Sequence, residues 1–403
     1  MPGRHFLQIP GPTNVPDRIL RIMSQPTIDH RGAAFASIAR DAIDGLQRVF
    51  QSSGPVVIYP SSGTGAWEAA LVNTLSPGDR VLMFETGHFA ALWRSMAVRL
   101  GLEVEFVSGD WRHGVDPDIV EATLRNDGGH AIKAVAVVHN ETSTGVTSRV
   151  AEVRRRMDAA RHPALLIVDT ISSLASIDFR HDEWDVDVSV GCSQKGLMLP
   201  PGLGFNAISE KALAASASAR LPRSYWDWRP MIADNAAGFF PYTPATNLLC
   251  GLREALGMLF EEGLAHVFAR HTRGAEATRR AVQAWGLDVV CANPDEYSST
   301  LTAVMMPAGP GSPGSPGSPG SPGSYDADAL RKTILDRFDL SLGTGLGRWK
   351  GSVFRIGHLG DFNDLMLAGT LSGIEMGLAV SGVPFNRGGV TAALEYLART
   401  RPM

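Results

Sequence analysis

ALLIVDT at residues 164–170 and DVSVGCSQKG at 187–196 decide how this chain folds. Both open on a short apolar, β-branched run, the pattern of a strand buried on both faces of a sheet. Working outward, KAVAVVH (133–139) is a third such run, and a basic helix over 149–161 separates it from the first. Further toward the N-terminus lie strand EVEFV (103–107), a helix near 89–100, and strand RVLMF (80–84) behind the turn Pro77-Gly78-Asp79. Helix AWEAALVNTL (66–75), strand PVVIY (55–59) and a helical spacing of Ile38, Ile43, Leu46, Val49 and Phe50 come before them. Strand and helix alternating from about residue 35 to 210 predict an α/β fold, a mainly parallel sheet with helices on both faces.

Beyond about residue 250 the pattern changes. Long helices over 252–264 and 267–285 are followed by strand-like LDVV (287–290) and LTAVMM (301–306). A helix near 326–338, strand VFRIG (353–357) and a final pair of helices close the chain. This predicts a smaller C-terminal α+β domain packed on the main sheet. The expected division is an N-terminal arm at 1–30, a large domain at 31–285 and a small domain at 286–403. GPGSPGSPGSPGSPGS (309–324) cannot bury a core and is expected to be a flexible surface loop without catalytic meaning.

Composition narrows the classes of function. With 44% hydrophobic and 19% charged residues, the 403-residue chain reads as an ordinary globular protein. A formal net charge of −4 gives no pull toward nucleic acid or anionic membrane. No apolar run is long enough to span a bilayer, and MPGRHFLQIPGPTN lacks a signal-peptide core, so a cytoplasmic location is expected. Cys192, Cys250 and Cys291 are too scattered for a disulfide framework, and no metal site is expected.

Four features carry chemistry. Lys195, in Ser193-Gln194-Lys195-Gly196, is a lysine in poorly charged surroundings, with the apolar stretch LMLPPGLGF after it. A deprotonated amine there suits Schiff-base chemistry, whereas a solvated lysine after a strand is the bland alternative. Asp169 ends its strand at the edge where open α/β sheets bind ligands. There it would either face a pyridinium nitrogen or cap the turn at Thr170-Ile171-Ser172-Ser173. Ser61-Ser62-Gly63-Thr64-Gly65 joins a strand to a helix, as an anion cradle or as a plain N-cap. Arg355, inside an apolar strand, demands an anion: a substrate carboxylate or an internal salt bridge.

These elements, in this order, resemble the class V, fold-type I aminotransferases of the serine-glyoxylate and alanine-glyoxylate group. The likeness runs through PGPTNVP (10–16), SSGTGAWEAAL (61–71), HNETSTGV (139–146), VDTISS (168–173) and CSQKGLMLPPGLG (192–204). FPYTPATNLL (240–249), GTGLG (343–347) and VFRIGHLGD (353–361) complete it. The resemblance implies a large-domain sheet of seven-stranded type and pyridoxal 5′-phosphate as cofactor. Carried over by position, it makes Lys195 the Schiff-base lysine and Asp169 the partner of the pyridine nitrogen. Ser62, Gly63 and Thr64 match the phosphate loop, with Gln194 beside it. Phe89 matches the ring that stacks on the cofactor, and Thr142 the hydroxyl near its O3′. Tyr242 and Thr243 match a segment that reaches the neighbouring subunit's phosphate, which implies a homodimer with shared sites. Arg355 matches the binder of the α-carboxylate, assisted by backbone around Gly11.

Implied substrates are amino acids and 2-oxo acids: glyoxylate as acceptor giving glycine, with L-serine as donor. Aspartate or alanine are the alternative donors, and Arg31 or Arg223 the candidates to meet a second carboxylate. Departures from the family pattern are Cys192 and Thr170, where glycine and glycine or serine are usual, and Ser352, which replaces a common lysine. A cysteine desulfurase-like lyase of the same fold needs a cysteine ahead of the arginine, and 325–355 has none. A non-catalytic anion-binding α/β protein, with Lys195 merely structural, is the reading from another class.

Overall fold

The computed structural model describes residues 3–309 and 325–400. The expected Gly/Ser/Pro loop lies, apart from Gly309, outside the described residues. β1 (Phe6–Gln8), α1 (Asp17–Met23) and α2 (Ala33–Phe50) lead into β2 (Val56–Ser61), α3 (Gly63–Thr74), β3 (Arg80–Phe84) and α4 (His88–Arg99). Next come β4 (Glu103–Val107), α5 (Pro117–Asn126), β5 (Ile132–Val138) and a hairpin of β6 (Asn140–Glu141) with β7 (Val146–Thr147). α6 (Val150–Ala160), β8 (Leu165–Asp169), β9 (Val188–Cys192), β10 (Gly202–Ile208), α7 (Glu210–Ser218) and α8 (Trp228–Asn235) follow. Helices α9 (Thr246–Glu262) and α10 (Leu264–Ala284) precede β11 (Leu301–Met305), α11 (Ala327–Phe338), β12 (Leu340–Thr344) and β13 (Val353–Gly357). The described chain closes with α12 (Asp364–Val380) and α13 (Gly389–Arg399).

The apolar runs become the middle of a seven-stranded sheet of order β2-β10-β9-β8-β5-β3-β4. β8 pairs in parallel with β5 on one side and β9 on the other, setting Val138 beside Asp169 and Asp169 beside Val190. Successive side chains in a strand point to opposite faces, and both faces here are covered. Leu166 and Val168 enter one core with α2, α5, α6 and α9, while Leu165 and Ile167 enter the other with α3, α4 and α7. Two buried faces explain why these strands read as unbroken apolar runs.

The seventh strand, β10, was not legible. It runs antiparallel to both β2 and β9. Its sequence GLGFNAI follows Pro200-Pro201, a composition that weakens strand propensity and hides the pairing. LDVV is a second difference: Val289 forms an isolated bridge with Val304. Leu287 and Val290 are buried, so its apolar character reflects packing beside β11 rather than a full ladder.

A second, four-stranded sheet has the order β1-β12-β13-β11. β1 joins it in parallel with β12, Phe6 opposite Leu340, so the N-terminal segment is tied to the C-terminal sheet before it crosses to the large one. Helix α10 spans the two cores, with Val267 in that of the large sheet and Ala277, Ala281 and Val282 in the C-terminal one. Among the described residues no helix is long and apolar enough to cross a membrane.

Leu166 is fully buried at the centre of β8. Leu166→Ala should cost about 2–5 kcal/mol through lost burial and the cavity left behind, seen as a clear fall in the urea midpoint. Leu166→Met, which conserves volume, should cost under about 1.5 kcal/mol.

Candidate active site

Most segments at this site leave the large sheet at one edge, where its parallel strands end, and the N-terminal segment around Gly11 closes over them. β8 ends on Asp169 and β9 on Cys192, three residues before Lys195; β2 delivers Ser62–Thr64 at the start of α3. The loop after β3 delivers Phe89 in the first turn of α4, and the hairpin after β5 delivers Thr142. Ser62, Gly63, Thr64 and Phe89 line one cleft with Thr142, Asp169, Gln194, Lys195 and Gly11. A doubly wound sheet leaves its ligand crevice at this edge.

Lys195 is one of five lysines and the one that is buried; Lys133, Lys211, Lys332 and Lys350 are exposed. The N-terminal segment holds it: Nζ donates to the Pro10 carbonyl oxygen, and Thr13 Oγ1 donates to the Lys195 carbonyl at 3.1 Å. Gly11 has φ +98°, and a Cβ there would lie 2.6 Å from Lys195 Nζ, so a side chain would collide with the amine. Burial pushes the Lys195 ammonium down to about 8, and Arg355 pushes the same way, against Cys192 and Asp169. An unprotonated fraction on the order of a tenth is therefore present at neutral pH, far more than for an exposed lysine.

Asp169 accepts from Trp67 Nε1 at 3.0 Å and from the Ile171 backbone N–H at 2.6 Å. The second bond is the turn role weighed from sequence, and it coexists with a place on the cleft wall. Burial dominates in raising the carboxyl to about 7. Trp67 itself stacks on Trp93 at 5.6 Å between ring centroids, which fixes the indole that orients Asp169.

No side chain caps the N-terminus of α3, so the N-cap alternative for Ser62 is not what the structure has. The amide oxygen of Gln194 on the same cleft is buried without a hydrogen-bond partner among the described residues, a group that awaits a donor. Arg355 stands on β13, opposite Gly343 and Ala303. Its Nε donates to the Thr344 carbonyl and its Nη1 to the Thr142 carbonyl, each at 2.7 Å. Among the described residues no carboxylate lies within salt-bridge distance, so the internal ion-pair alternative is absent. Burial lowers the guanidinium to about 10. A buried cation held only by carbonyl dipoles favours an anion as neighbour; Arg355 is not itself on the cleft wall but reaches it through the Thr142 carbonyl.

Tyr242 and Thr243 are not on the cleft wall. Tyr242 stacks on Tyr225 at 4.5 Å between centroids, with its hydroxyl buried and unpartnered among the described residues, and Thr243 is exposed. Arg223 is corrected as a carboxylate binder. Its Nη atoms donate to the carbonyls of Val72, Ser216 and Ala219 at the ends of α3 and α7. Thr170 gives its hydroxyl to the Val190 carbonyl at 2.8 Å and Ser352 to Trp349 at 3.2 Å, so both departures are absorbed locally.

Sequence reading missed Trp67 and Asn140, which share the cleft. Trp67 lies four positions after Gly63, one helical turn along the same face, a signal that was available. Asn140 has none, because its partners Ser172 and Thr300 are far apart in sequence.

The family model for class-V aminotransferases matches residues 6–308. The chain is 47% identical to the serine–glyoxylate aminotransferase of Methylorubrum extorquens, over 100% of this chain and 98% of that one. It is 44% identical to the L-aspartate–glyoxylate aminotransferase of Paracoccus denitrificans, over 99% and 98% of the two chains. Among solved structures, the pyridoxamine–pyruvate aminotransferase of Mesorhizobium loti superimposes with a TM-score of 0.88 at 27% identity, covering 98% and 97%.

The raised Asp169 carboxyl makes a pH prediction. Its proton is held in the folded chain up to about 7 and lost from the unfolded chain near 3.8. The stabilisation is complete below the lower value, falls as pH rises between the two, and then levels. Ligand-free wild type should therefore lose stability relative to Asp169→Asn across that window, measured as urea midpoints in pH steps. Parallel curves for the two proteins would contradict the assignment.

Proposed function

Because the chain belongs to the class-V aminotransferases, we propose that it transfers an amino group from L-serine to glyoxylate on pyridoxal 5′-phosphate, giving glycine. The observation that carries the reading is the one buried lysine, its ammonium pushed down to about 8, on a cleft shared with a buried carboxylate and an uncapped helix N-terminus. The 47% identity to a serine–glyoxylate aminotransferase supports the choice of substrates.

The residues present fit the cofactor. Ser62, Gly63 and Thr64 would hold its phosphate at the positive end of the α3 dipole, and Gln194 lines the same cleft. Phe89 would cover the ring, Thr142 would face its hydroxyl, and Asp169 would face the ring nitrogen. When bound, pyridoxal phosphate supplies an electron sink for the pair released at the substrate's α-carbon. Asp169 is uncomfortable as a buried anion in the free protein; a protonated ring nitrogen would offset that cost and keep it ionised. Lys195, covalent anchor of the cofactor in this proposal, would carry the proton to and from the α-carbon as a general base and acid. Arg355 would bind the α-carboxylate and orient the bond to be broken.

Charge on this wall supports serine over aspartate as donor. Among the described residues on the cleft wall Lys195 is the one cation, and Arg355 is reserved for the α-carboxylate. An uncharged hydroxymethyl side chain suits such a wall, whereas the β-carboxylate of aspartate needs a second cation. Aspartate stays the second reading because of the 44% identical aspartate–glyoxylate enzyme. Tyr242 and Thr243, off the cleft in a single chain, support a homodimer in which they reach the neighbouring site. The free thiols of Cys192, Cys250 and Cys291 support a cytoplasmic, reducing setting.

Serine, alanine and aspartate assayed against glyoxylate, pyruvate and oxaloacetate should give the highest kcat/KM for serine with glyoxylate. Inactivity of glyoxylate with every donor would overturn the substrate assignment. Lys195→Ala should be colourless and lose activity by a factor on the order of 10² or more.

A further inference from the structure

Glu141 lies in HNETSTG beside Thr142, is fully buried, and has so far been given no role. Its carboxylate accepts four hydrogen bonds. Oε1 takes the Ser143 hydroxyl at 2.6 Å, the Ser143 backbone N–H at 3.1 Å and the Phe89 N–H at 3.3 Å; Oε2 takes the Ala90 N–H at 3.1 Å. Ser143 Oγ in turn accepts from the His88 N–H at 2.9 Å. The first three N–H groups of α4 are thus satisfied from a different loop. The helix has no side-chain cap of its own, since Gly87 occupies its N-cap position. A Cβ at Gly87 would lie 2.4 Å from Glu141 Cγ, so glycine is what lets the carboxylate reach the helix end.

Two groups that face the cleft hang on this one carboxylate. Phe89 is bonded to it directly through its backbone. Thr142, the next residue after Glu141, presents its side chain to the cleft and its carbonyl to Arg355 Nη1. We propose that Glu141 is a positioning residue for the transamination, fixing in one rigid bracket the ring that covers the cofactor and the carbonyl that aims the carboxylate-binding arginine. The inference rests on the functional reading above. Charge at Arg355 supports it as well: Glu141 favours the charged guanidinium there, against the dominant effect of burial.

Glu141→Gln keeps the size of the side chain and replaces one acceptor oxygen by an NH2 that faces a backbone N–H. In the reconstituted holoenzyme it should retain the visible absorption band of the bound cofactor. Its visible circular dichroism should fall by about half or more as the ring loses its fixed partner. The Kd for glycolate, an unreactive carboxylate read by its effect on that band, should rise on the order of tenfold. Ser143→Ala, which removes one donor to Oε1 and the acceptor for His88, should show the same two changes at smaller size. A lower melting temperature with dichroism and glycolate affinity as in wild type would reduce Glu141 to a stabilising cap and overturn the proposal. If Glu141→Gln does not fold, wild-type behaviour of Ser143→Ala overturns it equally. Wild-type protein that takes up no pyridoxal phosphate would instead remove the functional reading itself.

Discussion

Desolvation of Lys195 against the end of a buried sheet is the constraint on which the other features of the site depend. An ammonium group taken out of water favours its neutral form, and a neutral amine is what covalent chemistry at a carbonyl requires. The N-terminal segment supplies the cover, with Gly11 admitting the amine and Pro10 accepting its hydrogen bond. That cover is anchored at a distance: β1, a few residues earlier, is hydrogen-bonded into the sheet of the C-terminal unit. The position of the reactive amine is therefore tied to both halves of the molecule.

The same desolvation acts on the other ionisable groups, and the signs differ in a useful way. Asp169 is pushed up and Arg355 down, so the free protein holds two groups whose charged states are disfavoured by burial. A cationic ring nitrogen would relieve the first and a substrate carboxylate the second. In the proposed function, binding energy would thus be directed at the cofactor and the substrate rather than used up in internal ion pairs. Glu141, satisfied by four donors, plays the opposite part. It is a buried carboxylate with a complete set of hydrogen bonds, and its geometry rather than its availability is what the site uses.

Much of this was legible in the residues, for identifiable reasons. Strands β2 to β5, β8 and β9 were readable because both their faces are buried, which gives continuous apolar runs. Lys195, Asp169 and the Ser62–Thr64 loop were recoverable because each belongs to a motif at the end of such a strand, and Phe89 because of the family resemblance; all of them converge on one cleft. β10 escaped because its Gly and Asn content and the preceding prolines conceal a strand held by two antiparallel neighbours. Asn140 and Glu141 were not recognised because their roles come from contacts 30 to 160 residues away, which no local pattern encodes. Arg223 failed the other way: offered from sequence as a carboxylate binder, it is held by three carbonyls at the C-terminal ends of α3 and α7.

The central claim is that Lys195 is the covalent anchor of the cofactor, and the four exposed lysines make it easy to test. Holoenzyme treated with borohydride, digested and analysed by mass spectrometry should carry a phosphopyridoxyl group on the peptide containing Lys195 and on no other. A label found instead on Lys133, Lys211, Lys332 or Lys350, or no stable label at all, would contradict the account.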